Sequence, residues 1–356
     1  MTPRGSFRLL YLYDVAEEIR LEQLRSRLAL ATRPAALRHQ APQYVRFAEP
    51  PVVQPVPAIE LPSGERFEAR LSYYDYGVVS LELELPFQLE WNALVALAAR
   101  WVASTDIDPL ALAAVQKATA EGRSYFVKPY AEWLSEDYCI VHVHQEPGVA
   151  AADLIAQHGH DIARIIRGEP SAFAPEEQAE VLQARISYYP NDVLVAGWSA
   201  AFVYDSPEGA SSAIELLKYA NTQLLEFRHY DELLSRILAD VYKKLETRRG
   251  PLMRWRLFRE ADKLNTVLLD IRELTERTDN AIKFLSDMFD ARLYRLAAGR
   301  VGVPDYRRLV DDKLHTAGDL YHFMVDQFQH ARAFFLELTV VIILLIELYY
   351  FFQGKH

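Results

Sequence analysis

Cysteine residues and enzyme motifs are what this 356-residue sequence lacks most clearly. Its one cysteine, Cys139, excludes an intramolecular disulfide and any zinc site built from several cysteines, and it is typical of a reducing compartment. The chain contains no G-x-x-x-x-G-K-S/T, G-x-G-x-x-G, H-E-x-x-H or G-x-S-x-G pattern. The common signatures of phosphate-binding loops, dinucleotide-binding folds, zinc proteases and serine hydrolases are therefore missing.

Basic residues are also fewer than acidic residues. Lys and Arg number 39 against 49 Asp and Glu, so the formal net charge is −10. An acidic chain argues against a dedicated nucleic-acid-binding protein, and nucleic acid is not an expected partner. Apolar residues make up 51% and charged residues 25%, which is ordinary for folded proteins and excludes wholesale disorder.

Short strand-like and helix-like patterns fill residues 1–205. Phe7–Tyr13 predicts a strand, and Asp14 is placed to cap a helix that would follow from Val15 to Ala31. Gly77–Leu85 alternates apolar and polar residues, which predicts a strand with one face in solvent. Further strands are expected at 67–71, 138–144, 181–188 and 192–204, and helices at 88–103, 109–120 and 149–167. This pattern indicates an α+β head domain with a mixed or antiparallel sheet.

Residues 206–332 are predicted to form a long α-helical stalk. A first helical run covers 208–249, and a second covers 252–298, with apolar residues spaced by threes and fours as in coiled coils. A third run begins at Asp305. We expect these runs to fold back on each other like a hairpin and to hold a homo-oligomer together.

One transmembrane helix is predicted at 333–352, where the 20 residues read AFFLELTVVIILLIELYYFF. A helix of this length spans about 30 Å, which matches the hydrocarbon core of a bilayer. Only Glu337 and Glu347 are charged, and four aromatic residues stand at the C-terminal end, where an interfacial belt belongs. Residues 353–356 would form a short tail, so we expect a tail-anchored protein. The alternative is a buried core helix.

The charges before this segment predict how the chain sits in the membrane. Positive residues close to a membrane span favour the cytoplasmic side. Those that precede this segment are Arg300, Arg307, Arg308, Lys313 and Arg332. The N-terminus does not resemble a secretory signal, because acidic residues follow its short apolar run at once. We therefore expect a bacterial or mitochondrial inner membrane, with the bulk of the chain on the cytoplasmic or matrix side and the lipid bilayer as a partner.

Two sets of charged residues are candidate contacts within or beside the membrane. Glu337 and Glu347 are predicted to face neighbouring protein and to specify assembly, with snorkelling towards the headgroups as the alternative. Arg254, Arg256 and Arg259 stand among aromatic residues, a composition that suits phosphate-rich surfaces. We expect these arginines to contact the membrane surface rather than RNA, with a solvated helix end as the alternative.

His142 and His144 are the candidate metal ligands in the head. They stand two apart in the strand-like run CIVHVH, so both rings point to the same face. A third ligand would come from the helix that follows: His158, His160 or Asp161. The alternative is an ordinary polar strand face, and no cofactor is predicted.

Three features of the chain occur together in a known family. They are YDYGVV at Tyr74–Val79, the long C-terminal helical region, and Glu337 followed ten residues later by Glu347 within LELTVVIILLIEL. In these the chain resembles the Rmd-type family, named as required for meiotic nuclear division. The resemblance implies a C-terminally anchored membrane protein with an α+β head, of a kind whose eukaryotic members include mitochondrial inner-membrane proteins that support organelle translation. It implies a domain of unknown function and no enzyme activity.

The sequence favours a non-catalytic function. We expect a membrane-anchored, oligomeric scaffold or assembly protein, whose protein partner the sequence does not identify. One alternative is an ion-transport protein distantly like the CorA-type magnesium channels, although those have two membrane spans and a Gly-Met-Asn motif that this chain lacks. A second alternative is a metal- or nucleotide-handling enzyme in the head.

Overall fold

The computed structural model divides the chain into two compact units. One unit comprises Met1–His229 and Glu276–Tyr306, and the other comprises Tyr230–Thr275 and Arg307–His356. The structure describes residues 2–31, 45–47, 49–61, 63–102, 104–120, 122–247, 251–280, 282–284 and 288–353.

Strands dominate the first part of the chain and helices the rest. The strands are β1 (Arg4–Ile19), β2 (Val45–Phe47), β3 (Val52–Glu60), β4 (Arg66–Tyr73), β5 (Val78–Gln88), β6 (Phe126–His144), β7 (Arg185–Ile186), β8 (Val193–Ala196), β9 (Ala200–Asp205) and β10 (Ile282–Phe284). The helices are α1 (Leu21–Ala31), α2 (Trp91–Trp101), α3 (Asp108–Ala120), α4 (Ala151–Arg167), α5 (Pro175–Gln183), α6 (Gly209–Thr247), α7 (Pro251–Asn280), α8 (Met288–Val301) and α9 (Val303–Gln353). The helices predicted at 88–103, 109–120 and 149–167 are confirmed as α2, α3 and α4.

Eight strands of the first unit form one sheet in the order β3-β4-β5-β1-β6-β9-β8-β7. β1 lies in the middle and pairs antiparallel with β5 and β6. β6 and β9 run parallel, from Cys139 opposite Ala200 to His144 opposite Asp205. The sheet is therefore mixed, and the α+β character predicted for the head is confirmed.

The main apolar core lies on one face of this sheet, together with α2, α3 and α4. Its members include Phe7 of β1, Leu94 of α2 and Ile162 of α4. The ring centroids of Trp91 in α2 and Phe202 in β9 are 6.2 Å apart. Alternate residues of each strand reach this core because successive side chains point to opposite faces of a sheet.

The opposite face of the sheet is covered by the first part of α6. Glu82 and Ser80 of β5 alternate with the core residues, yet they are only 2% and 1% exposed. The Nζ atom of Lys218 in α6 lies 3.0 Å from Oε2 of Glu82, and the hydroxyls of Tyr76 and Thr222 are 2.7 Å apart. The prediction of a solvent-exposed face for β5 is therefore wrong, because a helix far along the chain supplies partners for its polar side chains.

β1 is longer than predicted, and Asp14 lies inside it. The strand runs to Ile19 and α1 begins only at Leu21. Asp14 is therefore not a helix N-cap, and the helix predicted from Val15 to Ala31 is confirmed only over Leu21–Ala31. The strand continues because its backbone goes on pairing with β6 beyond an irregularity between Asp14 and Ala16.

The strand predicted at 181–188 is mostly replaced by other structure. Val181 and Leu182 are buried on helix α5, and only Arg185–Ile186 pair with β8. Periodicity alone does not distinguish a short buried strand from a short buried helix segment, which is why this prediction failed.

The helical run predicted for 252–298 is divided. α7 ends at Asn280, β10 pairs with β2, and α8 begins at Met288. Polar residues at Thr275 and Thr278 interrupt the recurrence of apolar residues every three or four positions shortly before this division. Pairing between distant segments therefore replaces helix where the helical pattern weakens.

The second unit consists of the last part of α6, most of α7 and the greater part of α9. Each segment buries apolar residues at intervals of three or four. These are Leu234, Leu238 and Val241; Leu264, Leu268 and Ile271; and Val310, Leu314 and Ala317. Lys313 of α9 also reaches Oδ1 of Asp231 at 2.5 Å and Oγ of Ser235 at 2.6 Å in α6. The spacing seen in the sequence thus serves packing within the chain, and a coiled-coil stalk stays a prediction.

Candidate functional site

The apolar end of α9 is the candidate membrane-anchoring site, and residues 333–352 are called the anchor segment below. α9 has 51 residues, and its most apolar 18-residue stretch has a mean hydropathy of 2.2 and no buried residue. Leu344 and Leu345, for example, are 57% and 59% exposed. Large exposed apolar surfaces mark contacts with membranes or proteins. By length and composition this helix can cross a bilayer.

Glu337 and Glu347 interrupt the apolar surface of the anchor segment. Both side chains are exposed. Within the described part of the chain, neither carboxylate takes part in an ion pair or a hydrogen bond. The nearby hydroxyl of Thr339 is engaged in its own helix, where it donates to the carbonyl oxygen of Phe335 at 2.8 Å. An assembly role for the two glutamates stays a prediction.

The three arginines predicted to contact the membrane surface belong to α7. Arg259 is exposed. The side chains of Arg254 and Arg256 lie outside the described residues. The membrane-surface contact therefore stays a prediction.

His142 and His144 lie at the end of β6, on the face of the sheet that α6 covers. Their ring centroids are 4.9 Å apart, and Nε2 of His142 lies 3.2 Å from the carbonyl oxygen of Asp205. Burial lowers the pKa of His142 to about 4 despite that hydrogen bond, and His144 and Arg8 act in the same direction as burial. A neutral ring bonded to a backbone carbonyl is a satisfied structural group at physiological pH.

The residues proposed as a third metal ligand face away from this histidine pair. Oxygens of Asp161 lie 3.3 Å from Nδ1 of His158 and 3.2 Å from Nε2 of His160. His158 stacks on Trp91 at 4.3 Å, in the core on the opposite face of the sheet. Among the residues that the structure describes, no three His, Cys, Asp or Glu side chains are grouped to hold a metal ion. A metal at the histidine pair stays a prediction without an identified third ligand.

Glu82 is the centre of a buried charge network between β1, β4, β5 and α6. One of its oxygens lies 2.5 Å from Nη1 of Arg8 and 3.0 Å from Nη2 of Arg70. Lys218, only 3% exposed, reaches the other oxygen at 3.0 Å and Glu215 at 2.8 Å. Burial by itself raises the pKa of Glu82, but the three cations outweigh it and hold the pKa well below its usual range.

Asp14 forms a second buried polar contact, which sequence reasoning missed. Its Oδ2 lies 2.7 Å from Nδ1 of His229, whose ring stacks on Tyr130 at 4.6 Å. Burial raises the pKa of Asp14 well above its ordinary value. The signal in the sequence was an acidic residue next to the apolar run Phe7–Tyr13, a pattern that an N-cap produces equally well.

The turn that carries YDYGVV supports the backbone beside Asp14. Gly77 has a φ of +97°, and a Cβ atom there would lie 1.7 Å from the carbonyl oxygen of Ala16. The amide of Val15 donates to the carbonyl oxygen of Gly77 at 3.1 Å. Glycine is required here both by the backbone conformation and by the close approach of β1.

A cleft of about 920 Å³ opens where β6 and β9 end and α6 begins. Tyr188 and Tyr189 on its rim are 56% and 62% exposed. Both of their amides donate to the carboxylate of Asp192 at 2.7 Å, and the amide of Ser206 donates to Asp205 at 2.6 Å. The two carboxylates therefore shape the loops around the cleft.

Residues 4–211 match the family model described as Uncharacterized protein MJ0711, N-terminal domain. The chain belongs to this family. The matched residues include all eight described strands of this chain's mixed sheet, from β1 to β9. It includes Asp14, Glu82 and His142, whereas Lys218 and His229 follow it in the chain.

Uncharacterized protein MJ0711 of Methanocaldococcus jannaschii is 20% identical to this chain over 230 residues. The aligned part is 64% of this chain and 69% of that protein. No solved structure matches the chain. The name of the MJ0711 N-terminal domain assigns no activity, so function is argued from the residues of this chain.

Proposed function

We propose that this protein is a membrane-anchored, non-catalytic scaffold or assembly protein, in which α9 holds a head with the MJ0711 N-terminal domain at the membrane. The observation that carries the proposal is the exposed anchor segment, whose most apolar 18 residues have a mean hydropathy of 2.2 and no burial within the chain. Apolar surface left in water costs about 25 cal/mol per Å². A bilayer core, about 30 Å thick, removes that cost for a helix of this length.

The resemblance to the Rmd-type family supports the same arrangement. The glycine of YDYGVV is packed against β1, and Glu337 and Glu347 stand on the anchor segment. The resemblance implies a C-terminal membrane anchor, which agrees with the place of the anchor segment in α9.

The polar interior of the head supports a scaffold more than an enzyme. Catalytic groups face a cleft that a substrate can enter. Glu82, Lys218 and Asp14 are instead 2%, 3% and 1% exposed, and each contacts a charged or polar side chain of another element. Their position supports a contribution to folding.

The basic residues that precede the anchor segment support a location for the head on the cytoplasmic or matrix side of a bacterial or mitochondrial inner membrane. Arg332 directly precedes the anchor segment, and Lys313 stands twenty residues before it. Lys and Arg within about 15–20 residues of a membrane span favour retention of that end in the cytoplasm.

Membrane fractionation tests the anchor. We expect the full chain, produced in bacteria, to remain in the membrane pellet after alkaline carbonate washing and to dissolve only in detergent. The double variant Ile342→Lys/Leu345→Lys is expected in the supernatant, because each lysine at the centre of a span costs about 2.5–3.5 kcal/mol. The matched variant Ile342→Val/Leu345→Val keeps the segment apolar and should stay in the pellet. Release of the unchanged chain by carbonate would contradict the proposal.

A further inference from the structure

We infer that the anchor segment binds the anchor segment of a second, parallel copy of this chain, through a seam that contains both intramembrane glutamates. The seam consists of Glu337, Val340, Leu344, Glu347 and Phe351. This inference rests on the membrane anchoring proposed above, and it adds the partner and the contact surface.

The spacing of the two glutamates places them on one side of the helix. In a left-handed pair of helices the contact surface recurs every 3.5 residues, so core positions alternate at intervals of three and four. If Glu337 occupies core position a of a heptad, the next a position is Leu344, seven residues later. Glu347 follows three residues after that, at core position d of the same second heptad. Membrane helices mostly pack in this left-handed manner. At a rise of 1.5 Å per residue, the two carboxyl groups lie about 15 Å apart along the axis.

A carboxyl group in hydrocarbon requires a hydrogen-bonding partner. In the part of the chain that the structure describes, neither Glu337 nor Glu347 forms an ion pair or hydrogen bond. One helix of the described residues is long and apolar enough to cross a membrane, so another span within these residues does not supply the partner. A polar group of another molecule at the same depth would supply that partner, whereas snorkelling towards the headgroups would leave both carboxylates to water.

A parallel second copy supplies a partner for both glutamates at once. A two-fold axis along the helix pair brings each residue of the seam opposite itself. Glu337 then meets its equivalent, and Glu347 meets its own about 15 Å further along. Two protonated carboxyl groups can each donate one hydrogen bond and accept one. A different protein would need two polar groups at the same separation on one apolar face, whereas a second copy has them by identity.

Cysteine cross-linking in membranes tests the seam on the full chain. Its one cysteine, Cys139, is buried in the head, and a Cys139→Ala background removes it. Val340→Cys and Leu344→Cys place a thiol in the seam. Ile342→Cys and Ile346→Cys place it at neighbouring depths on other faces of the helix. Upon oxidation we expect dimers at the first two positions and only the background of random collisions at the last two. Equal dimer yields at all four positions would overturn the seam.

The role of the glutamates is tested in the Val340→Cys chain. Glu337→Leu/Glu347→Leu removes the hydrogen bonds and keeps the segment apolar, whereas Glu337→Gln/Glu347→Gln retains donors and acceptors. A hydrogen-bonded contact between two side chains of membrane helices changes association by about threefold on average, so loss of both glutamate contacts predicts about a tenfold fall in cross-linked dimer. The glutamine variant should stay within about twofold of the parent. Unchanged cross-linking in the leucine variant would remove the glutamates from the contact.

The two proposals fail in different ways. A chain that carbonate releases from the membrane contradicts the anchoring itself. A chain that stays in the pellet but gives no cross-links specific to the seam contradicts only the pairing of two copies.

Discussion

At the scale of single residues, the head is organised around charges that are buried together. Glu82 of β5 contacts Arg8 of β1, Arg70 of β4 and Lys218 of α6. Replacing a whole buried ion pair by apolar residues often leaves the stability of a protein unchanged, but removing one member leaves a buried charge without its partner. The network should therefore be most sensitive to single substitutions at its centre.

Glu82→Gln is expected to destabilise the fold by about 3–5 kcal/mol, because the buried Lys218 and the more exposed Arg8 and Arg70 lose the buried carboxylate that they share. Glu84→Gln is the matched control. Glu84 also contacts Arg8 and Arg70, but its side chain is 28% exposed, so the loss there should be about 1 kcal/mol or less. Denaturant unfolding of the full chain in mild detergent measures both. Equal losses would mean that burial does not govern the strength of this network.

The same residue predicts a pH dependence. The folded pKa of Glu82 lies below the ordinary value of about 4.5, so its stabilisation is complete above that pH and is lost as the pH falls towards the folded pKa. The difference in unfolding free energy between the unchanged chain and Glu82→Gln should be constant near neutral pH and shrink below about pH 4.5. Unfolding curves of the two chains across this range check the sign. A difference that widens in acid would contradict it.

At the scale of elements, the turn between β4 and β5 holds the irregular part of β1. Gly77 and Gly64 have nearly equal φ angles, +97° and +98°. A Cβ atom at Gly77 would strike the carbonyl oxygen of Ala16, whereas a Cβ atom at Gly64 would meet nothing within 4 Å. An alanine would therefore have a strained backbone at either position, but only at Gly77 would its Cβ atom also clash with a neighbour.

We expect Gly64→Ala to cost about 1–3 kcal/mol, the usual range for a strained backbone position. Gly77→Ala should cost clearly more, because β1 must move away from the turn. Thermal unfolding of both variants measures the difference. Similar losses at the two positions would show that the contact with Ala16 is easily relieved.

The elements that could be predicted from the sequence are those whose pattern is local. The helices α2, α3 and α4 and the long apolar end of α9 follow from spacing and composition within their own residues. The polar face of β5 was misjudged because its partner Lys218 stands far along the chain, on a helix that no local pattern connects to it. β10 was missed for the same reason, since its pairing partner is β2.

The candidate site residues also divide into those that local sequence patterns predict and those that depend on packing between distant segments. The long apolar helix of the anchor segment could be predicted, because length and apolar composition can be read from its own residues. The shared face of His142 and His144 also followed from strand periodicity, and their rings are 4.9 Å apart. A third ligand could not be predicted, because only the packing of α4 shows that His158 stacks on Trp91 across the sheet.

At the scale of the whole molecule, the distribution of charge predicts which side of the membrane the head occupies. In bacterial spheroplasts that produce the full chain, an added protease should leave the head intact until the membrane is permeabilised. Basic residues close to a membrane span favour the cytoplasmic side, and Arg332 directly precedes the proposed span. A chain digested in intact spheroplasts would show the reverse orientation, and digestion after permeabilisation is the control for protease activity.

The charged residues on one face of the sheet also disfavour incorrect pairing of its strands. In the native register, Arg8 of β1 lies opposite Glu84 and Leu10 lies opposite Glu82. A slip of one residue moves every side chain of a strand to the other face. Arg8 would then enter the apolar core, and Glu82 would keep fewer cations. An alternation built only of apolar and neutral residues would penalise such a slip less. We therefore expect the least core-like residues of this sheet to exclude mispaired arrangements of its strands.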